Sequence, residues 1–159
     1  MPNTYTQLYV QIVFAVKGRQ NLIPKRHKED VHRYITGIVQ ERGQKLLAVH
    51  CMPDHVHLFV GFALTIALSD LVRDIKRATS LWIKEKEIIK GAFYWQEGFG
   101  AFTYSQSQIK DVVEYILNQE VHHQKRTFNE EYITLLQKFD VPYEPDYLFE
   151  FYGESGLNA

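Results

Sequence analysis

The sequence predicts an α+β domain in which an antiparallel, ferredoxin-like sheet has helices mainly on one face. Three observations support this fold class. Alternating apolar residues mark strands, apolar residues spaced three and four apart mark helices, and these segments follow one another in the order β-α-β-β-α-β. A further helical pattern follows the last strand. Only Met52, Pro53 and Asp54 separate the two middle strands, which therefore pair antiparallel.

The first strand is predicted over residues 5–16, where every second residue from Leu8 to Val16 is apolar and Gln7, Tyr9 and Gln11 fall on the other face. A polar segment, residues 17–21, ends it. The first helix is predicted over residues 25–42. Its apolar residues follow the helical period, and Gly43 stands where helices commonly end.

The remaining elements follow from the same patterns. Strands are predicted over residues 44–51 and 55–62, a helix over 66–87, and an extended, bulged segment over the aromatic and glycine-rich residues 93–104. A third helix begins with the capping-box pair Ser105 and Gln108 and continues to Val121. A short helix is expected over residues 129–138. We expect a single domain over residues 1–152 and a flexible tail over 153–159.

Composition places the chain among ordinary globular proteins. It has 159 residues, of which 45% are hydrophobic and 23% charged, and this excludes a disordered, collagen-like or wholly coiled-coil chain. A single cysteine, Cys51, excludes an intrachain disulfide and fits a cytoplasmic protein. The longest uncharged apolar run, residues 58–68, is too short for a membrane span, for which about 20 residues are needed.

Charge is distributed unevenly along the chain. Residues 1–90 contain 14 Lys and Arg against 8 Asp and Glu, whereas residues 91–159 contain 4 against 11. The basic first half is compatible with a polyanionic partner, and equally with solvated helix faces.

The segment Asp54-His55-Val56-His57-Leu58 contains the most distinctive candidate site residues. Side chains alternate along a strand, so His55 and His57 share one face while Val56 and Leu58 point to the other. Two neutral imidazoles in this arrangement can bind one divalent metal ion. Hydrogen-bonded histidines on an open sheet face would give the same pattern.

Tyr115 and Gln119 are the second candidate pair. At about 100° per residue, both lie off the apolar stripe of the third helix, on one exposed edge. A tyrosine hydroxyl can act as a nucleophile, and a glutamine oxygen is a neutral ligand for a hard cation. Alone, an exposed tyrosine beside a glutamine is common and indicates no function.

Together, these motifs resemble the single-tyrosine HUH transposases (His–hydrophobic–His) of the insertion sequence 200/605 group. The resemblance rests on Met52-Pro53-Asp54 followed by His55-Val56-His57, and on Tyr115-Ile116-Leu117-Asn118-Gln119 further along the chain. It extends from Tyr5 to about Tyr152. No role is transferred to the residues after Gln119.

The resemblance implies an enzyme that cleaves and rejoins single-stranded DNA at element ends without a nucleotide cofactor. Tyr115 would be the nucleophile, forming a 5′-phosphotyrosine and releasing a 3′-hydroxyl. His55, His57 and Gln119 would bind Mg²⁺ or Mn²⁺. A 3′-hydroxyl of another strand could then reverse the step, which gives strand transfer instead of hydrolysis.

The resemblance also implies hairpin DNA and a second copy of the chain as partners. Basic side chains at Arg19, Lys76 and Arg77 are candidates for phosphate contacts. A homodimer is further expected because the long apolar strand over residues 5–16 would be prone to aggregation as a free edge.

Three other functions are compatible with the sequence. The first is another HUH nuclease, such as a replication initiator or relaxase, although these are commonly joined to further domains. The second is a domesticated relative that acts on repeated genomic hairpins. The third is a non-enzymatic RNA-binding domain with the same, RRM-like strand order, which would need aromatic residues where His55 and His57 stand.

Overall fold

The computed structural model describes residues 3–152. The strands are β1 (Tyr9–Ala15), β2 (Lys45–Cys51), β3 (His55–Gly61) and β4 (Gly100–Tyr104). The helices are α1 (Lys28–Glu41), α2 (Leu68–Glu85), α3 (Ile109–Leu117), α4 (Gln119–His122) and α5 (Phe128–Lys138). The chain forms two compact units, Met1–Leu117 and Asn118–Ala159. None of the helices in the described part of the chain has the length and apolar character needed to cross a lipid bilayer.

The first unit is built on a four-stranded antiparallel sheet with the order β2-β3-β1-β4. This is the predicted ferredoxin-like arrangement. β1 lies between β3 and β4, so the expectation that this strand would need a second copy of the chain to protect a free edge is wrong. Six of the seven residues of β1 are buried, as expected of a strand with both neighbours and both faces covered.

The main core fills the space between one face of the sheet and α1 and α2. β1 and β3 contribute alternate apolar residues to it, which are Val10, Ile12 and Phe14 from β1 and Val56, Leu58 and Val60 from β3. The same core includes Ile35 of α1 and Ile75 of α2. Truncating a fully buried member, as in Leu58→Ala, would cost about 2–5 kcal/mol of stability.

The end of α1 shows why Gly43 is needed. The N–H of Gly43 donates to the carbonyl of Gln40, and the N–H of Gln44 donates to that of Val39. This paired arrangement requires a left-handed residue, and Gly43 has a φ of 73°. The predicted helix end is therefore confirmed, and the chain turns directly into β2.

Residues 93–104 are extended, as predicted, but only their last part joins the sheet as a continuous strand. Gly100–Tyr104 pairs with β1, while Trp95 forms an isolated bridge with Val16. Gly98, between these two points, has a φ of 84° and allows the chain to bend.

α3 covers the other face of the sheet. It begins after the predicted capping box of Ser105 and Gln108. Val112 and Ile116 of α3 pack against Ala48 of β2 and Phe59 of β3, forming a second, smaller core.

The prediction that this helix continues to Val121 is wrong. α3 ends at Leu117, and Asn118 adopts a φ of −101° and a ψ of 26° before the short helix α4 begins. Leu117 and Val121, the apolar residues on either side of this break, are 54% and 51% exposed. Asparagine has low helix propensity and tolerates such conformations, which fits the position of the break.

In the second unit, α5 begins with a second capping box formed by Thr127 and Glu130. Aromatic residues pack together behind it, with Tyr132 4.9 Å from Phe149 and Phe128 5.3 Å from Phe151 between ring centroids. The predicted short helix is confirmed. The tail predicted over residues 153–159 lies outside the described residues.

Candidate functional site

His55 and His57 lie side by side on β3, with their ring centroids 5.1 Å apart. They share the sheet face on which α3 packs, while Val56 and Leu58 point into the main core, as the alternation predicts. Both imidazoles are completely buried. Their position on a central strand, paired with β1 and β2, fixes the backbone that presents them.

Each imidazole is oriented by a hydrogen bond at its Nδ1 atom. His55 Nδ1 lies 2.7 Å from Oδ1 of Asp54, and this carboxylate oxygen accepts a hydrogen bond from the Nδ1–H. His57 Nδ1 lies 2.9 Å from the side-chain amide of Gln11 on the neighbouring strand. Histidine metal ligands commonly bind the metal through one ring nitrogen while a carboxylate or amide holds the other. For His55 this arrangement places the hydrogen on Nδ1 and leaves Nε2 suited to metal binding, whereas an N–H donated by Gln11 places the hydrogen of a neutral His57 on Nε2.

Tyr115 lies beside this pair within the first unit. Its ring centroid is 6.3 Å from that of His57, with the two rings nearly perpendicular. The side chain is half-buried and packs against the small core of α3, so it is less exposed than the sequence predicts. The fold thus brings His55, His57 and Tyr115 together, although they are some 60 positions apart in the chain.

Two other tyrosines compete poorly as nucleophiles. Burial raises the pKa of both Tyr104 and Tyr132 to about 12. The Tyr104 hydroxyl also donates to Oε1 of Gln11 at 2.7 Å. Both hydroxyl groups therefore lose their proton less readily than an ordinary tyrosine does, and the hydroxyl of Tyr104 is also held in a hydrogen bond.

Gln119 lies in the second unit and is completely buried. The prediction that it shares an exposed helix edge with Tyr115 is therefore wrong, since the break at Asn118 separates α3 from α4. Its Nε2 donates to Glu131 at 3.0 Å, and its Oε1 lies 3.1 Å from Nε2 of His123. His123 Nε2 also lies 3.0 Å from Oε1 of Glu131, so these three side chains form a closed cluster.

Each unit, taken by itself, contains side-chain atoms of the kind that bind metal ions. The first provides imidazole nitrogens from His55 and His57, and the second provides oxygens from Gln119 and from the buried carboxylate of Glu131. Oxygen ligands such as those of the second unit suit Mg²⁺ and Mn²⁺, whereas imidazole nitrogens such as those of the first unit suit softer divalent metals.

The sequence analysis did not identify four residues that form hydrogen bonds with the predicted site residues: Gln11, Asp54, His123 and Glu131. Gln11 falls on the same face of β1 as His57 does of β3, so strand alternation could have predicted it, and Asp54 directly precedes the histidine pair in the sequence. Glu131 had no local signal, because its partner Gln119 is twelve positions away on another helix.

The three predicted DNA-contacting residues differ in their surroundings. Lys76 donates from Nζ to the carbonyls of Gln96 and Gly98, at 2.9 and 2.6 Å. Burial lowers the pKa of Lys76 to about 8. Arg77, on α2, and Arg19, in the turn after β1, are exposed. The ammonium group of Lys76 thus forms hydrogen bonds within the protein, whereas the side chains of both arginines are exposed to solvent.

Comparisons with known proteins agree with this architecture. A family model described as "Transposase IS200 like" matches residues 4–119. The ISDra2 transposase TnpA of Deinococcus radiodurans is 24% identical over 118 residues, which are 71% of this chain and 84% of that protein.

Two solved structures share the fold. The crystal structure of a putative transposase from Deinococcus radiodurans R1 is 23% identical, covers 74% of this chain and 94% of its own, and superposes with a TM-score of 0.59. A REP-associated tyrosine transposase bound to a REP hairpin is 15% identical, covers 93% of this chain and 90% of its own, and gives a TM-score of 0.58.

Proposed function

Because this chain belongs to the IS200-like transposase family, we propose that it cleaves and rejoins single-stranded DNA through a covalent bond to Tyr115. The single observation that supports this most directly is the position of the Tyr115 ring, 6.3 Å from that of His57 and on the face of the sheet that presents the histidine pair. A nucleophile and two candidate metal ligands therefore occur together in the first unit, inside the region that the family model matches.

In the proposed reaction, Tyr115 Oη attacks the scissile phosphorus. A tyrosine–phosphorus bond forms as the bond to the 3′ oxygen breaks. The phenol loses its proton, and the departing 3′ oxygen gains one to become a hydroxyl. Because the phosphotyrosine retains the energy of a phosphodiester, a 3′-hydroxyl from another strand can attack it, restore the tyrosine and join the strands.

We propose that His55, His57 and Gln119 hold Mg²⁺ or Mn²⁺ during this reaction. Such an ion would supply Lewis-acid polarisation of the phosphate. The chain's own contribution is orientation. The Asp54 carboxylate accepts from Nδ1 of His55, and the side-chain amide of Gln11 contacts Nδ1 of His57. Gln119 is held by Glu131 and His123.

The proposed DNA partner is a single strand that contains a hairpin. The REP-associated relative was solved with a REP hairpin, and its likeness extends over 93% of this chain. Exposed Arg19 and Arg77 are suited to contacts with backbone phosphates. Lys76 instead donates to the carbonyl of Gln96 and so holds that segment against α2. We keep the homodimer as a proposal that rests on the family resemblance alone, since β1 is not an edge strand.

One alternative is supported by a specific observation. The REP-associated protein covers 93% of this chain, whereas the other transposase covers 74%. This difference favours the alternative that this chain acts on repeated genomic hairpins with the same chemistry. The RNA-binding alternative is disfavoured, because α3 covers the sheet face that such a domain would need open and Phe59 on that face is completely buried.

The test is formation of a covalent adduct. The protein is incubated with single-stranded hairpin DNA and Mn²⁺, and the products are separated on a denaturing gel. We expect a protein–DNA adduct, with the nucleotide attached to Tyr115 by mass spectrometry of the digested product. Absence of an adduct, or attachment to another residue, would contradict the proposal.

A further inference from the structure

A cavity of about 530 Å³ lies between α2 and the segment of residues 94–99. α2 packs on the sheet face opposite to α3, so this cavity is separate from the histidine pair. Its volume falls within the range that small-molecule sites occupy. It lies entirely within the first unit.

The wall of this cavity is built by specific polar contacts. Lys76 on α2 donates to the carbonyls of Gln96 and Gly98. The indole N–H of Trp95 donates to the Thr79 hydroxyl at 2.9 Å, and the side chain of Gln96 donates to the carbonyl of Val16 at 2.9 Å. The segment is thereby tied to both α2 and the end of β1, so the cavity is preformed.

Three side chains that line this cavity, Tyr94, Arg77 and Glu97, are exposed. The ring of Tyr94 is 56% exposed and has the Nζ of Lys84 5.0 Å from its centroid, while its backbone carbonyl accepts from the N–H of Lys17. The Arg77 guanidinium is exposed and forms no ion pair with any residue from 3 to 152, in contrast to Arg73, which pairs with two aspartates. The Glu97 carboxylate also lines the cavity.

This combination matches a nucleotide. An exposed aromatic ring is a stacking platform for an unpaired base, an exposed arginine binds a phosphate, and a carboxylate accepts from a base amino group. We propose that the cavity binds one unpaired nucleotide of single-stranded DNA, with its base on Tyr94 and its phosphate on Arg77. This inference rests on the proposed function and adds a second contact point, away from the catalytic face.

The probe is a DNA hairpin with single-stranded flanks that contain 2-aminopurine, whose fluorescence falls when it stacks. A blunt hairpin of the same stem serves as the reference. We expect Tyr94→Leu to weaken binding of the flanked hairpin about tenfold, to leave the blunt hairpin unaffected and to abolish quenching. Arg77→Ala should reduce the slope of log affinity against log salt concentration by about 0.7, the value for one phosphate on a single strand.

Matched controls are Tyr5→Leu, at a tyrosine that is 91% exposed, and Arg26→Ala, at an exposed arginine before α1. Both should bind like the wild type. Circular dichroism checks that each variant is folded. Flanked-hairpin affinity of folded Tyr94→Leu within twofold of wild type would overturn the proposal, and so would tighter binding of an RNA probe with the same sequence.

Adduct formation separates this inference from the proposed function. If the wild type forms no adduct but still quenches the probe through Tyr94, the nucleotide site stands and the proposed function fails. If the wild type forms the adduct while Tyr94→Leu binds the flanked hairpin normally, the proposed function stands and the nucleotide site is excluded.

Discussion

Gln11 of β1 places its side-chain nitrogen 2.9 Å from Nδ1 of His57, and its oxygen accepts from the Tyr104 hydroxyl at 2.7 Å. An N–H donated to Nδ1 leaves the imidazole hydrogen on Nε2, where it blocks metal binding. Rotating the amide by 180° presents the oxygen to Nδ1 and the nitrogen to Tyr104, which frees Nε2 as a ligand. Gln11 therefore controls which nitrogen of His57 is available.

The first prediction concerns this control by Gln11. Gln11→Leu removes the side-chain amide at Nδ1, and with it the acceptor that the rotated amide offers to Nδ1–H, so Mn²⁺ binding should weaken about 10- to 100-fold. Gln11→Glu, which can only accept when ionised, should retain Mn²⁺ binding. Titration calorimetry measures both affinities, with Gln7→Leu, at an exposed glutamine near the start of β1, as the control. Equal Mn²⁺ affinity in Gln11→Leu and the wild type would contradict this role.

The second prediction concerns Tyr115. Tyr115→Phe retains the ring that packs beside His57 but removes the oxygen, so the free energy of unfolding should change by no more than about 1 kcal/mol. Covalent adduct and strand transfer should both disappear, while hairpin binding persists. Tyr132→Phe is the control, because burial keeps that hydroxyl protonated. An adduct that survives in Tyr115→Phe would exclude Tyr115 as the nucleophile.

The third prediction concerns the histidine pair. His55→Ala should abolish metal-dependent cleavage and leave hairpin affinity largely unchanged, because binding depends on phosphate and base contacts elsewhere. His27→Ala, at a half-exposed histidine before α1, is the matched control. Gel assays of cleavage and of binding give the two readouts. Cleavage at the wild-type rate in His55→Ala would rule out a role for this imidazole.

The fourth prediction concerns the pH dependence of stability. Burial lowers the pKa of Lys76 to about 8 in the folded protein, against 10.5 for the unfolded chain. Between these values the unfolded chain binds more protons, so the free energy of unfolding should rise as pH increases from 8 to 10.5. Urea denaturation across this range should show that rise in the wild type relative to Lys76→Met. If the free energy of unfolding depends on pH in the same way in both proteins, the lowered pKa of Lys76 is contradicted.

Local patterns were sufficient to predict most of the first unit. Alternation placed Val56 and Leu58 in the core and both histidines on the opposite face, and Gly43 marked the end of α1. The burial of both faces of β1 was not predicted, because the second face is covered only when α3 packs on it. The same packing explains why Gln11, a polar residue, is buried.

The second unit was harder to predict because its key contacts join distant residues. A helical period continues from Val113 through Val121 in the sequence, so nothing local marked the break at Asn118 except the asparagine itself. Burial of Gln119 depends on Glu131 and His123, which supply its hydrogen bonds. Partners of this kind are selected by tertiary structure and leave no periodic signal.

The buried Cys51 has a practical consequence for experiments on this protein. Cys51 is the chain's only cysteine, and burial raises the pKa of its thiol to about 12. Maleimides and iodoacetamides react with the thiolate, which this side chain scarcely forms at neutral pH. A cysteine introduced at exposed Lys90 or Lys110 would therefore be labelled selectively without removing the native one. The wild-type background is already suitable for attaching a single fluorophore or spin label.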